Sequence, residues 1–333
     1  MSPLVLPTLV IAGNGIDGLV AYDRTSGREV WRLDVRGGVE GGAAISEGRL
    51  YFGANDGFVY CIDALTGRTF WTFQAHAEAL APPTVFDKIV YVQTGADVLY
   101  ALEAGSGKPV WTYNRQIASN FSIRANTRPV VDSGMVFAGF SDGFLAAVRI
   151  RDGGLIWERK LGFGQRFRDV DATPVVEDET LYASSFDGAL YSLNKRTGAV
   201  NWQSDEGAYV PVTLGPGDAL YYSSTSGKVM RLDKRSGKTV WSKKVAKGKG
   251  IATQPVLYKG YLLFGESDGA LQVVEAGAGG PIARFETGHG LTAKPAVVDA
   301  TGETFLMSNG ANLYALRVGM VLRSDRLPWD PPP

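Results

Sequence analysis

The sequence contains little cysteine and little histidine, and this scarcity excludes several kinds of site. A single cysteine, Cys61, allows no internal disulfide, and only two histidines occur among 333 residues. Two histidines and one cysteine leave little for a zinc site or a histidine-based catalytic triad. Basic and acidic residues both number 34, so the basic excess of a dedicated nucleic-acid binder is absent. No apolar run approaches the roughly 18 residues of a membrane-spanning helix.

Glycine is abundant, with 42 residues, and it recurs together with tryptophan in a repeat. At six places a glycine lies four residues before a tryptophan. These tryptophans are Trp31, Trp71, Trp111, Trp157, Trp202 and Trp241, separated by 40, 40, 46, 45 and 39 residues. A seventh copy, which begins at Gly279, has Ala283 in the tryptophan position. A period of this length is typical of repeat folds such as β-propellers.

Each repeat contains four short segments with strand character. Apolar and alternating runs such as residues 50–53 and 59–63 flank Asp-Gly turns, which indicates hairpins because glycine tolerates a positive φ. Eight first strands and eight third strands can be counted. The sequence therefore predicts an all-β fold, an eight-bladed propeller of four-stranded antiparallel blades. We expect one propeller domain over residues 1–318 and a tail over residues 319–333; either this tail or a segment outside the chain must supply the last outer strand.

The tryptophans have a structural interpretation and a functional alternative. With one indole per blade, each can pack between neighbouring blades and remove about 150–250 Å² from water. An aromatic box for a ligand is the alternative. We favour the packing role for all six.

The two longest steps between tryptophans predict where a partner binds. They place insertions at residues 120–128 and 164–173, before the first strands of two adjacent blades and on the same face of the ring. Five residues before the proline that follows, one insertion has Arg124 and the other has Asp169. An internal salt bridge that braces both loops and a polar anchor for a partner both fit this pattern, and both can hold together.

The repeat, in outline Asp-Gly-x-x-Tyr-Ala-Leu-Asp-x-x-Thr-Gly-x-x-x-Trp, resembles that of the pyrroloquinoline-quinone (PQQ)-type propellers over about residues 3–318. Within that group the chain is most similar to the propeller lipoproteins of the bacterial outer-membrane β-barrel assembly machinery. Residues 122–124 resemble that family's Ser-Leu-Arg loop, and residues 169–176 are similar to its Asp-Val-Asp-Thr-Thr-Pro-Val-Val segment. The resemblance implies a non-catalytic scaffold that docks the POTRA domains of the barrel-inserting subunit BamA. It makes these residues candidates for the interface: Phe121, Ile123, Arg124, Asp169 and Asp171.

The resemblance also implies where the protein is located and which ligands it does not need. The family has a secretion signal and a lipid-modified N-terminal cysteine, and neither is recognisable in this sequence. We expect a monomer at the periplasmic face of the bacterial outer membrane, attached to the membrane only through a lipid anchor that this chain does not contain. We expect no cofactor, no metal and no nucleic-acid partner.

Two alternative functions and one unexplained segment stay open. A PQQ-dependent dehydrogenase would need calcium ligands, an aspartate base and often an adjacent cysteine pair, and no such cluster is evident. A propeller that binds a peptide or a glycan is the other alternative. Residues 228–249 contain nine basic residues and one acid, which suits either a solvated blade edge or attraction to an acidic partner.

Overall fold

The alternating segments of each repeat form strands because side chains on both faces of a strand find a neighbouring sheet to pack against. A computed structural model of the chain describes residues 2–14, 18–115, 127–163, 169–170, 172–186, 188–245, 250–310 and 312–318. The regular elements assigned in these residues are β-strands. In this part of the chain, no helix has the length and apolar composition needed to cross a membrane.

The strands follow one another in groups along the chain. Those of the first four groups are β1 Leu4–Val5, β2 Leu9–Asn14, β3 Gly18–Asp23, β4 Glu29–Asp34, β5 Ala43–Ser46, β6 Arg49–Gly53, β7 Phe58–Asp63, β8 Thr69–Gln74, β9 Thr84–Phe86, β10 Ile89–Gln93, β11 Val98–Glu103, β12 Pro109–Asn114, β13 Val130–Asp132, β14 Met135–Gly139, β15 Phe144–Arg149 and β16 Leu155–Lys160. Those of the last four groups are β17 Val175–Glu177, β18 Thr180–Ser184, β19 Leu190–Asn194, β20 Val200–Gln203, β21 Thr213–Leu214, β22 Ala219–Ser223, β23 Lys228–Asp233, β24 Thr239–Lys244, β25 Val256–Tyr258, β26 Tyr261–Gly265, β27 Ala270–Glu275, β28 Pro281–Glu286, β29 Ala296–Val298, β30 Glu303–Met307 and β31 Leu313–Arg317.

Each group of strands forms one antiparallel sheet, which is one blade of the ring. Within every sheet the strands are ordered as they are in the chain, from β1-β2-β3-β4 to β29-β30-β31. First strands of neighbouring blades contact each other, as β5 does with β9 and β9 with β13, so the first strands surround the centre. Strand β1 also contacts β29, which brings the first blade beside the eighth. The predicted all-β, eight-bladed propeller is confirmed.

The eighth blade has three strands in the described part of the chain. The tail of residues 319–333 lies outside the described residues, so its predicted closing strand stays a prediction. Across this seam, Arg24 of the first blade forms an ion pair with Glu303 of the eighth. The Arg24 guanidinium also lies 5.9 Å from the centre of the Phe305 ring. These contacts join the two ends of the described chain.

The hydrophobic core is divided into layers between neighbouring blades. Phe137 and Leu145 of blade four, for example, pack in one cluster with Leu181 and Leu193 of blade five. Strand β14 is buried along its whole length because both of its faces are covered. Middle strands are therefore the most apolar parts of each repeat.

The turn between the third and fourth strands is held by an aspartate side chain. In blade two, Asp63 Oδ1 accepts the backbone N–H groups of Leu65 (3.0 Å) and Thr66 (2.8 Å). Hydrogen bonds from Thr66 lower the pKa of the Asp63 carboxyl below its ordinary value. Asp23 accepts both equivalent bonds in blade one, and Asp233 accepts the second of them, from Ser236 N–H, in blade six. This turn presents a glycine to the preceding blade.

The structure places the indoles of the six repeat tryptophans between neighbouring blades. Each Nε1–H donates to a backbone carbonyl at the end of the third strand of the next blade. The N–O distances are 3.3 Å for Trp31 to Ala64, 3.0 Å for Trp71 to Ala104, 2.9 Å for Trp111 to Ile150, 2.9 Å for Trp157 to Lys195, 2.8 Å for Trp202 to Lys234 and 3.2 Å for Trp241 to Ala276. The ring of each tryptophan faces the glycine of the adjoining turn; a Cβ added at Gly107, for example, would lie 2.6 Å from Trp71.

Blade seven lacks this contact. Ala283 pairs with Val273 as Trp241 pairs with Arg231 in blade six, and a register shift follows in both blades. An open cavity of about 690 Å³ lies beside Ala283, between blades seven and eight. Its walls include Leu271 and Leu316. The lost tryptophan of the seventh repeat thus leaves a space in the ring.

Candidate partner-binding face

The connectors that join one blade to the next lie on one face of the ring. Backbone bonds hold them to the turns between second and third strands, as in Ala75 N–H to Gly57 O (2.8 Å) and Leu161 N–H to Gly143 O (2.8 Å). We call this side of the ring the connector face. The described residues of the two predicted insertions, 127–128, 169–170 and 172–173, belong to it. Phe121, Ile123, Arg124 and Asp171 lie outside the described residues, so their roles stay predictions.

Asp169 is described, and its side chain is buried, with 1 % relative exposure. Its backbone carbonyl accepts the N–H of Phe186 (3.1 Å), and the next N–H, that of Val170, donates to Phe140 O (3.2 Å). The carbonyl of Val170 lies so close to Gly139 that a Cβ there would come within 2.4 Å of it. Asp169 therefore lies in the base of its loop, where it can orient the loop rather than offer an exposed contact.

The first inserted connector begins at a partly buried cation that the sequence did not reveal. Arg115 Nε lies 2.6 Å from Asp142 Oδ2, and Nη1 lies 2.5 Å from Glu158 Oε2. Its guanidinium also lies 4.3 Å from the centre of the Phe144 ring. Burial alone would lower the pKa of Arg115. Its hydrogen bonds to the two carboxylates raise the pKa by a larger amount, so the net shift is upward. The pairing joins blade three to blade four where the insertion starts.

The same connector ends at a buried hydroxyl. Thr127 Oγ1 donates to Gln93 Oε1 (2.9 Å) and accepts the N–H of Gly139 (2.9 Å). Both side chains are buried, so these bonds are shielded from water. Arg115 and Thr127 thus fix the two described ends of this connector. No local sequence signal identifies these anchors, because partners such as Asp142 of Arg115 and Gln93 of Thr127 come from another blade.

A buried carboxylate links two turns of the connector face nearby. Asp97, in the hairpin turn of blade three, accepts the N–H of Ser141 at 2.9 Å and also its hydroxyl. Asp97 has a φ of +58° and is 6 % exposed. Burial raises the pKa of its carboxyl, although the bonds from Ser141 oppose that shift. The pair fixes blades three and four beside the insertion.

Several cations of the basic segment over residues 228–249 have partners within the protein. Lys234 Nζ lies 2.7 Å from Glu177 Oε1, and Lys228 pairs with Glu206. Arg235 Nε lies 2.9 Å from Asp218 Oδ1, and Arg231 Nη1 donates to Gly277 O at 2.8 Å. Lys234 and Arg231 thus link blade six to its two neighbours, and these four cations do not form a free cationic patch.

The described residues offer little for a metal or a redox group. They contain no group of three or more His, Cys, Asp and Glu side chains placed to hold a metal ion. Cys61 is fully buried, and burial raises the pKa of its thiol. The expectation that the chain needs no cofactor stays a prediction.

The fold defines a class of protein, an eight-bladed propeller of PQQ-like repeats with antiparallel blades. The chain belongs to the family described as outer membrane protein assembly factor BamB, whose model matches residues 17–243. The resemblance drawn from the repeat and the two loops is confirmed. The family description names an assembly factor, in agreement with the prediction that the chain is not an enzyme.

Individual relatives agree with this assignment. A BamB of Kangiella koreensis is 46% identical over 180 residues, which cover 52% of this chain and 46% of the relative. The match thus spans about half the length of that curated relative. The crystal structure of BamB from Moraxella catarrhalis has a TM-score of 0.83 at 25% identity and covers 95% of this chain and 96% of that chain. A quinohemoprotein alcohol dehydrogenase from Pseudomonas putida HK5 has a TM-score of 0.78 at 13% identity, over 92% of this chain and 69% of the other, and this likeness shows the fold alone.

Proposed function

We propose that the protein is a non-catalytic scaffold of the bacterial outer-membrane β-barrel assembly machinery, and that it docks the POTRA domains of a BamA-like subunit. The observation that supports this role most directly is the pair of long, adjacent connectors on one face. The described ends of the first connector are anchored, by the partly buried Arg115 and the buried Thr127. An anchored loop loses less conformational entropy on binding than a free one.

The residues of the two connectors divide the work of binding. Phe121 and Ile123 supply apolar contact, and Arg124 and Asp171 supply charges that set the register with the partner. Asp169 acts from inside the loop base as a positioning residue, because its side chain is buried. Arginine and aromatic side chains are favoured at the energetic centres of interfaces.

The proposed location follows from the same function. A scaffold for barrel insertion works at the periplasmic face of the outer membrane, where POTRA domains lie. A lipid anchor on the mature protein would hold the propeller there. The propeller itself would meet the partner as a monomer.

Binding of a purified POTRA segment to the propeller tests this proposal. We expect Phe121→Ala and Arg124→Ala each to weaken binding at least about tenfold, the usual effect of removing an interface anchor. Asp169→Asn should weaken it less, because the side chain acts indirectly. Isothermal titration calorimetry gives the affinities, and circular dichroism confirms that each variant is folded.

A matched control lies on the opposite face of the ring. Arg235, in the turn between β23 and β24, has a side chain 83% exposed. Arg235→Ala removes a surface cation far from both connectors and should leave the affinity unchanged. Unchanged affinity in Phe121→Ala and Arg124→Ala as well would remove these residues from the interface.

A further inference from the structure

A ring of eight equivalent positions surrounds the mouth of the central channel on the connector face. In each blade, this position lies two residues before a first-strand residue that pairs with the same repeat position of the second strand, as Thr84 pairs with Tyr91 in blade three. From blade one to blade eight they are Ser2, Gly42, Pro82, Arg128, Thr173, Pro211, Gln254 and Lys294. All eight line one cavity of about 970 Å³.

Two of these positions are cationic, and they face each other. Arg128 belongs to blade four and Lys294 to blade eight, which are opposite in an eight-bladed ring. Both side chains are solvent-accessible. Partial burial lowers the pKa of each, and the charge of Arg128 lowers that of Lys294 further. The two cations therefore share one electrostatic environment.

Neither cation is neutralised by an ion pair with the described residues. Arg128 Nε donates to Thr84 Oγ1 (3.0 Å), a neutral acceptor that orients the guanidinium. The one carboxylate in the described lining is that of Glu40, and it pairs with neither. Elsewhere in the ring, cations such as Arg115 and Lys195 do have carboxylate partners. The channel mouth thus keeps positive charge available to a ligand.

The rest of the lining identifies the kind of ligand. Between the two cations, the wall is formed largely by proline and aliphatic side chains, such as Pro82, Val175 and Val256. It contains no aromatic side chain in its described part, so bases and sugar rings find no stacking surface. The cations lie on opposite walls, and a ligand that pairs with both must extend across the channel. An extended peptide with acidic and aliphatic side chains has this shape and chemistry.

We propose that the channel mouth is a binding site for an acidic peptide segment, whose carboxylates pair with Arg128 and Lys294 while its aliphatic side chains contact the prolines and valines. The site includes the last residue of each inserted connector, Arg128 and Thr173, and its other lining residues lie outside them. It does not depend on POTRA docking, and its test uses the propeller alone.

Fluorescence anisotropy of the full chain with two labelled hexapeptides tests the site. One peptide alternates leucine and glutamate, and the other has glutamine in place of glutamate. We expect the acidic peptide to bind at least about tenfold more tightly at low salt and to lose this advantage at high salt. Arg128→Gln and Lys294→Gln should each remove most of the preference. Arg36→Gln, an exposed cation of the same face outside the channel, should preserve it.

One further variant and a competition experiment distinguish a peptide site from other results. Glu40→Gln should strengthen binding of the acidic peptide several-fold, because it removes a like charge from the mouth; this variant keeps the test valid if a channel cation variant misfolds. Equal binding of the two peptides, or a preference that survives in both Arg128→Gln and Lys294→Gln, would overturn the proposal. Competition by phosphate or citrate as strong as that of the unlabelled peptide would overturn it too, in favour of a small-anion site.

Discussion

At the scale of single residues, each seam of the ring combines an indole with a glycine that leaves room for it. The turn glycines of blades two to seven have φ between +67° and +73°, and a Cβ added to any of them would lie 2.6–3.0 Å from the tryptophan of the preceding blade. Gly27 of blade one has the same conformation, with a φ of +70°, but a Cβ there would meet none of the described residues within 4 Å. A comparison of Gly27 with the other six glycines therefore separates the free-energy cost of the backbone conformation from that of steric overlap with the indole.

This contrast predicts different costs for two chemically identical substitutions. Gly27→Ala should destabilise the fold by about 1 kcal/mol, the conformational cost of a left-handed alanine. Gly107→Ala should cost about 1–3 kcal/mol more, because the added methyl overlaps Trp71. Urea unfolding followed by tryptophan fluorescence measures both. Equal destabilisation of the two variants would show that the indole does not confine Gly107.

At the scale of strands, buried lysines tie the first strand of one blade to the third strand of the next. Lys195, just after β19 of blade five, lies 2.6 Å from Asp132 Oδ2 at the end of β13 in blade four. Its ammonium also donates to Ser133 Oγ (3.0 Å), and its side chain is only 6% exposed. Lys234 repeats the arrangement with Glu177 one blade further on. These pairs are enclosed enough for their geometry to matter.

The Lys195–Asp132 pair predicts a component of acid sensitivity. Burial raises the pKa of Asp132, but hydrogen bonds from Lys195 and Ser133 lower it more, so the folded-state pKa lies below 3.8. A lowered pKa stabilises the fold above the unfolded-state value, and this stabilisation is lost as the pH falls through the folded-state value. Asp132→Asn should therefore be less stable than wild type near neutral pH, by about 1–2 kcal/mol, and should lose less stability between about pH 5 and pH 3.

Unfolding free energies at a series of pH values check this expectation. Asp299→Asn, which changes an exposed acid in the hairpin of blade eight, serves as the matched control. It should follow the wild-type pH profile. An Asp132→Asn profile parallel to that of wild type would contradict a role for the pair in acid sensitivity.

At the scale of the whole molecule, the eight seams are not equal. The six between blades one and seven each contain a tryptophan bonded to the next blade. The seam between blades seven and eight has Ala283 and an open cavity instead. The seam between blades eight and one depends on Arg24 with Glu303 and on contact between the inner strands, in the part of the chain the structure describes. Blade eight is thus the least tightly held part of the described ring.

Refilling the incomplete seam should stabilise the protein. Ala283→Trp restores the residue of the other blades beside a cavity of about 690 Å³ and should raise the free energy of unfolding by about 1 kcal/mol. Val240→Trp adds an indole at a position that is 53% exposed in blade six and should bring no such gain. Thermal unfolding of both variants gives the comparison. A loss of stability in Ala283→Trp would mean that the cavity walls cannot receive the ring.

Local pattern in the sequence was enough to determine the repeat, the four strands of a blade, the number of blades and the aspartate turns. Strand alternation, turn glycines and capping aspartates depend on residues only a few positions apart, so a linear reading detects them. The two long connectors were found in the same way, as departures from the period. The candidate loop residues were placed in sequence but, except for Asp169, not in the described structure.

Only the tertiary structure decided which residues of different blades meet. Arg115 pairs with carboxylates 27 and 43 residues away, and Arg128 faces Lys294 across the channel. The basic run over residues 228–249 looked like a free surface until its partners in neighbouring blades were seen. The physical reason is that these contacts arise from the closing of the ring, which brings together side chains whose spacing in the chain has no fixed value.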